Sequence, residues 1–223
     1  IYNYRALRDA LIADGVAFTS GSDTEVLLAL YAKHGPDMVQ LLRGMFAFAI
    51  WDEKHRGLFL TRDPYGIKPL YYADDGKTIR IASQVKALLA GGGIDTRPEP
   101  AGHAGFFLLG SVPEPYTLYR GIRSLPADAS LWIDRSGRGE PRLWFNLTTE
   151  LAEAEAAPFD RDALRSALVD SVRHHMIADV PVGVFLSSGP DSAMAACGHA
   201  AMITTPLPNA TTPRWPKSSC RSS

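Results

Sequence analysis

The sequence predicts an α+β fold: antiparallel hairpins flanked by helices, then a helix, a buried strand, a tight loop and the start of a further helix. Three observations carry this reading. Two pairs of short apolar runs, Met45–Trp51 with Leu58–Thr61 and Leu70–Ala73 with Thr78–Ala82, are joined by turn residues. Segments with apolar residues three and four apart lie before and after them. Near the C-terminus, the apolar run Val182–Leu186 stops at Ser187-Ser188-Gly189-Pro190-Asp191-Ser192, and small residues follow.

The elements follow in order. Tyr4–Ala13 places Leu7 and Leu11 four apart and reads as a short helix ended by Gly15. Ser22-Asp23-Thr24-Glu25 has capping-box spacing, and Val26, Leu27, Leu30 and Tyr31 then share a helical face. A further turn or two of helix is expected over Asp37–Leu42. Met45–Trp51 and Leu58–Thr61 are continuously apolar and read as two buried strands in a hairpin. Leu70–Ala73 and Thr78–Ala82 flank Asp74-Asp75-Gly76-Lys77, whose Asp-Gly pair signals a second hairpin. Gln84–Leu89 reads as a short helix closed by Gly91-Gly92-Gly93. Residues 94–130 are richer in Pro and Gly and are expected to wrap the sheet more than build it. Leu131–Asp134 is another strand, and Ala152–Pro158 a linker or frayed helix. Asp160 is the expected N-cap of a helix with Leu164, Leu168 and Val172 on one stripe. His174 and His175 close that helix, where positive charge meets the negative end of the dipole. Thr204–Ser223 is dense in Thr, Ser and Pro, and is expected to be disordered.

Composition narrows the classes. Of 223 residues, 46% are hydrophobic and 21% charged, an ordinary globular balance with room for one large domain or two small ones. The formal net charge is -1 with no basic block, so nucleic-acid binding has no electrostatic support. No apolar run approaches the roughly 20 residues that span a bilayer. Ile1–Arg5 lacks the charged and apolar regions of a signal peptide. The cysteines are Cys197 and Cys220, which make neither a disulfide framework nor a zinc ligand set, so a reducing cytoplasm is the expected setting. His34, His55, His103 and His199 are scattered without metal-ligand spacing. Ile at position 1 leads us to expect a portion upstream, and the change of character near Ala200 leads us to expect a truncation or a change of reading frame.

The loop after Val182–Leu186 carries the first chemical expectation. A strand that turns tightly into a helix presents backbone N–H groups at the positive end of the helix dipole, where phosphate is held well. The plain alternative is a strand-to-helix turn with a capping Ser or Asp. Asp23 has a plain alternative too, as a carboxylate favoured at a helix N-terminus.

Several motifs in order carry a resemblance. They are Ile1–Arg8, Ser22-Asp23-Thr24-Glu25-Val26, Arg43–Asp52, Arg62-Asp63-Pro64-Tyr65-Gly66-Ile67-Lys68-Pro69-Leu70-Tyr71-Tyr72, Ala82–Leu88 and Asp179–Ser192. Together, over roughly residues 1–200, they resemble the glutamine-hydrolysing asparagine synthetase family. The resemblance implies a class II amidotransferase-like sandwich of antiparallel β-sheets with helices, followed by the first helix-strand-loop-helix of a doubly wound α/β, ATP-dependent synthetase domain. It places the amidotransferase domain at 1–146, a linker at 147–159, the start of the ATP-binding domain at 160–201 and the irregular tail at 202–223.

The implied activity is that of an ATP-dependent carbon–nitrogen ligase: ammonia from glutamine amidates aspartate through aspartyl-AMP. Glutamine, ATP and aspartate are the implied small-molecule partners, with Mg²⁺ beside ATP, no nucleic acid, no membrane and a possible homodimer. Asp23 is the implied ligand of the glutamine α-amino group. Leu186, Ser187, Ser188, Gly189, Asp191 and Ser192 are the implied pyrophosphate loop. Arg62, Asp63 and Lys68 are read as structural ion pairs at strand ends.

The chain departs from the family pattern in three places. The family's nucleophile is an N-terminal Cys acting with its own α-amine. Neither cysteine here lies in the amidotransferase segments, so these residues alone are expected to release no ammonia from glutamine. The loop reads Ser187-Ser188-Gly189 where the family has Ser-Gly-Gly, and Ser tolerates positive φ and close phosphate approach less well than Gly. The adenine, Mg²⁺ and aspartate sites of the family fall beyond this sequence. A related amide ligase with another carboxylate acceptor and a non-catalytic remnant are the alternative readings.

Overall fold

The computed structural model describes residues 1–155, 158–178, 182–185, 189 and 191–196. Contacts divide the chain into two units, Ile1–Ala157 and Pro158–Ser223.

The first unit opens with helices α1 (Tyr4–Ala13) and α2 (Asp23–His34) and a 3₁₀ turn at Gly35–Leu41. Strands β1 (Ala47–Asp52) and β2 (Gly57–Arg62) form the first hairpin, and β3 (Tyr71–Asp74) and β4 (Ile79–Ala82) the second. Helices α3 (Val85–Gly91) and α4 (Pro100–Leu109) come next, followed by β5 (Arg123–Ser124), β6 (Ala129–Asp134), β7 (Gly137–Arg138), β8 (Arg142–Leu143) and α5 (Leu147–Glu155). All pairings are antiparallel. One sheet runs β1-β2-β6-β7 with β8 also on β6; the other runs β4-β3-β5.

Side-chain alternation along β2 and β3 sets the layers. Phe59 faces a cluster of Leu11, Val26, Leu30, Met38, Phe46 and Ile50, which puts α1 and α2 on one face of the first sheet. Its neighbour Leu60 points the other way, into a cluster with Tyr72, Leu125, Leu131 and Ile133, so the second sheet covers the opposite face. On β3, Tyr72 belongs to that inter-sheet core, while Ala73 turns outward to meet Leu88 of α3 and Ile122. The order is helices, sheet, sheet, helix: the sandwich of antiparallel sheets between helices that the resemblance implies. The second hairpin turns where expected. Asp75 Oδ1 accepts from Lys77 N at 2.9 Å and Thr78 N at 2.7 Å, and Gly76 takes a φ of 80°.

One expectation is corrected. Residues 94–130 do more than wrap: they contain α4, supply β5 to one sheet and open β6 in the other. The glycines of α4 hid it, because Gly is a poor helix former. Those glycines are there for contact. A methyl group on Gly102 would lie 2.0 Å from the Thr117 carbonyl oxygen, and one on Gly105 would lie 2.1 Å from Pro113 Cδ. The helix therefore lies backbone-close on the returning chain, and it leaves Phe107 81% exposed at its far side.

In the second unit, α6 (Arg161–His175) begins where expected, with Asp160 Oδ1 accepting from Asp162 N at 2.9 Å and Ala163 N at 3.1 Å. His174 and His175 turn their Nδ1 atoms back to the carbonyls of Asp170 and Ser171, each at 2.8 Å. Val182–Phe185, expected as a strand, carry no strand assignment. A parallel-type strand needs neighbours for its ladder, and among the described residues of this unit there is no other strand. Residues 191–196 are helical. No helix of the described residues is long and apolar enough to cross a membrane.

Candidate functional site

Three local devices build the region around Asp23. The first is the start of α2. Ser22 is the N-cap, its hydroxyl accepting from Thr24 N at 3.2 Å, so Asp23 is the first helical residue. The second is Glu25. Capping-box spacing predicts that it turns back to the Ser22 N–H; instead it reaches further. Its Oε1 accepts from Thr19 N at 2.8 Å and Thr19 Oγ1 at 3.0 Å, and its Oε2 from Ser20 N at 2.7 Å and the Ser20 hydroxyl. Ser22 N is satisfied by Ser20 Oγ at 3.2 Å. The hydrogen bonds from the Ser20 hydroxyl, then the Thr19 amide, hold the Glu25 carboxyl down at about 2.

The third device is the pairing of residues 1–3 with residues 41–44. Tyr2 N donates to Arg43 O at 2.7 Å. Asn3 bonds this strip twice, from Nδ2 to Leu41 O at 2.9 Å and at Oδ1 from Arg43 N at 2.9 Å. Gly44 explains the closeness: its φ is 132°, and a methyl there would lie 2.9 Å from Tyr2 N. This pairing brings the Ile1 ammonium to 3.1 Å from Asp23 Oδ2, while the Asp23 side chain stays 43% exposed.

Arg62 and Asp63 form a separate, structural knot. The Asp63 carboxylate is fully buried and accepts four backbone N–H groups: Phe46 at 3.2 Å, Tyr65 at 3.1 Å, Ile67 at 3.0 Å and Lys68 at 3.0 Å. The Arg62 guanidinium donates to the carbonyls of Lys68 (2.7 Å), Gly66 (2.6 Å) and Leu125 (2.6 Å) and pairs with Glu114. The expected ion pair is present for Arg62. Asp63 meets amides instead of a cation, and Lys68 takes part through its backbone. The knot joins the end of β2 in one sheet to the chain leaving β5 in the other.

Beside the C-terminal half of α2 lies an apolar groove of about 660 Å³, lined by Leu28, Tyr31, Pro36, Ile50, Trp51 and Trp132 among others. Tyr31 donates to Asp52 Oδ2 at 3.1 Å, and His55 Nδ1 lies 2.7 Å from the same oxygen. Hydrogen bonds from His55, then Tyr31, bring Asp52 down to about 2; burial first, then Asp52, pushes Tyr31 up to about 12. Asp23 does not line this groove.

Of the predicted loop, Gly189, Asp191 and Ser192 are described, and Leu186, Ser187 and Ser188 lie outside the described residues, as do both cysteines and the tail 202–223. Asp191 is exposed at the start of the helical residues 191–196, and Ser192 Oγ donates to Gly189 O at 3.0 Å. The Glu25 clasp is what sequence reasoning missed. Its signal was present as Thr19 and Ser20, two hydroxyl residues five and six positions ahead of the acid.

The family model described as a glutamine amidotransferase domain matches residues 1–144, and that described as asparagine synthase matches residues 163–212. The chain is 38% identical over 192 residues to asparagine synthetase [glutamine-hydrolyzing] 1 of Bacillus subtilis, covering 86% of this chain and 30% of that protein. It is 37% identical over 196 residues to asparagine synthetase B [glutamine-hydrolyzing] of Escherichia coli, covering 87% and 30% respectively. The chain thus spans about 30% of the length of these curated relatives. A solved glutamine phosphoribosylpyrophosphate amidotransferase from B. subtilis superposes with a TM-score of 0.46 at 22% identity, over 90% of this chain and 42% of that one.

Proposed function

We infer that this chain, which belongs to the glutamine amidotransferase domain family over residues 1–144, carries the glutamine-recognition part and the opening of the ATP part of a glutamine-hydrolysing asparagine synthetase. One observation carries this reading: two family matches stand in order on one polypeptide, the amidotransferase domain first and asparagine synthase second. The whole enzyme would be an ATP-dependent carbon–nitrogen ligase. Glutamine would supply ammonia, ATP would activate the side-chain carboxylate of aspartate as its acyl adenylate, and ammonia would displace AMP.

Asp23 is the residue assigned to glutamine. It stands at the first position of α2, where the helix dipole favours a carboxylate, and its side chain is 43% exposed. A charge-assisted hydrogen bond to it from the α-ammonium of glutamine would orient the substrate. Neither cysteine lies in residues 1–144, so the reading gives these residues recognition of glutamine rather than attack on its amide. Calorimetry of the 223-residue chain with glutamine tests this. Asp23→Asn is expected to weaken binding by about tenfold or more, and an unchanged affinity sinks the assignment.

For the nucleotide we propose Leu186, Ser187, Ser188, Gly189, Asp191 and Ser192. The support is their place in the asparagine synthase match and the order strand, loop, helix start in the sequence. Ser188→Gly is expected to bind ATP no worse than the natural chain; clearly weaker binding argues against a glycine-requiring backbone. Mg²⁺ finds no such support. Among the described residues no three His, Cys, Asp or Glu side chains converge, so no residue is assigned to it and no step runs through it. A cytoplasmic setting and a homodimer belong to the same proposal, the latter open to sedimentation.

A further inference from the structure

We propose that Glu25 is a positioning residue for amino-acid recognition: it fixes the loop ahead of α2 so that the Asp23 carboxylate keeps one presentation. The proposal rests on the assignment of glutamine to Asp23. Glu25 ties both the backbone N–H and the hydroxyl of Thr19 and Ser20 to the first turn of the helix. Ser20 passes the tie on, its hydroxyl accepting from Ser22 N, and Ser22 in turn accepts from Thr24 N. Asp23 is therefore bracketed. The residue before it and the residue after it belong to one hydrogen-bonded chain that ends on Glu25. Thr19, Ser20, Gly21 and Ser22 are all exposed, so no packing would hold them if the clasp opened. An exposed segment held by polar contacts alone sits at the low-stability end of a structure.

The spacing argues that the clasp serves position rather than the helix end. A reciprocal capping box would satisfy the N-cap N–H from Glu25. Here that N–H is served by Ser20, and Glu25 spends both oxygens on residues up to six positions upstream. The hydrogen bonds from Ser20 and Thr19 hold the carboxyl at about 2, so Glu25 is ionised throughout the neutral range.

The test compares glutamine with its analogue carrying hydrogen in place of the α-amino group, both titrated into the 223-residue chain. Asp23 acts on the amino group, so the ratio of the two affinities reports its presentation, while a general loosening weakens both ligands together. Glu25→Gln is expected to lower the preference for glutamine by about tenfold and to leave the analogue's affinity within about twofold. Asp23→Asn should lower the preference at least as much. A preference that survives Glu25→Gln but collapses in Asp23→Asn overturns the proposal alone. A natural chain without preference, or one whose preference survives Asp23→Asn, overturns the assignment of Asp23 and this proposal with it. Should Glu25→Gln fail to fold, Ser20→Ala removes one hydroxyl and keeps the amide; a preference lowered about twofold supports the proposal, and an unchanged preference overturns it.

Discussion

Helices α2 and α6 start in the same way and end differently. Each has a side-chain cap, Ser22 on Thr24 N and Asp160 on Asp162 N and Ala163 N, an acid in its first turn and base in its last. Yet α2 buries Val26, Leu27 and Leu30, while α6 buries none of its residues and leaves Leu164 47% exposed. Caps and charges are local and specify where a helix begins. Burial is not local: it needs a partner surface, and α2 has a sheet beneath it. Hydrogen bonds and caps alone are marginal for a helix of 15 residues in water.

The sharpest way to break this comparison is to cut the knot between the sheets of the first unit. Arg62→Ala strips donors from buried carbonyls and leaves Glu114 without its cation. It is expected to cost about 3–5 kcal/mol, measured by urea unfolding followed through Trp132 and Trp144. Core truncation comes next, as a matched pair. Leu30→Ala on α2 is expected to cost about 2–5 kcal/mol, and Leu164→Ala on α6 less than about 0.5 kcal/mol. Equal costs would erase the difference between the two helices. Gly102→Ala should cost about 1–3 kcal/mol, because its methyl meets a carbonyl oxygen; a neutral result would mean that α4 slides freely on Thr117.

The smaller effects sharpen the comparison. Ser22→Ala and Asp160→Ala each remove a cap worth about 1 kcal/mol. In α2 packing should preserve the helix and only the unfolding midpoint should fall, whereas in α6 helical circular dichroism itself should drop. The mildest change is in pH. Glu25 and Asp52 are held at about 2, below the ordinary carboxylate range near 4. Their depressed values add stability that is fully present above the unfolded values and is lost as pH falls from about 4.5 to about 2. The melting midpoint of the first unit should decline over that window, and Glu25→Gln should flatten the decline.

Most of the first unit was legible because its signals are local. The α1 bounds, the Ser22 cap and both hairpins can be read from neighbours in sequence, whereas Leu58–Thr61 is apolar throughout and only the structure sorts Phe59 from Leu60. The failures share a cause as well. In α4, glycines chosen for contact with Thr117 and Pro113 look like loop residues until those partners are known. Asp63 reads as one half of an ion pair because its four amide donors come from a loop whose path no spacing reveals. Glu25 fits a standard cap until the loop before it is seen to fold back. In the second unit, Val182–Phe185 has the composition of a strand and no strand beside it among the described residues. At the candidate site, Asp23 stands out by its motif, but the reach of Glu25 to Thr19 and Ser20 does not.

The anchoring of α2 has a mechanical consequence. Glu25 clasps the approach to its first turn, and near the other end Tyr31 is tied to Asp52 at the end of β1. A rod gripped at one end sways most at its free tip. A rod gripped at both ends has no free tip, and what sway remains is greatest at mid-span. In α2 the mid-span is Val26–Leu30, pressed into the core, and the tip that would have swayed carries Asp23.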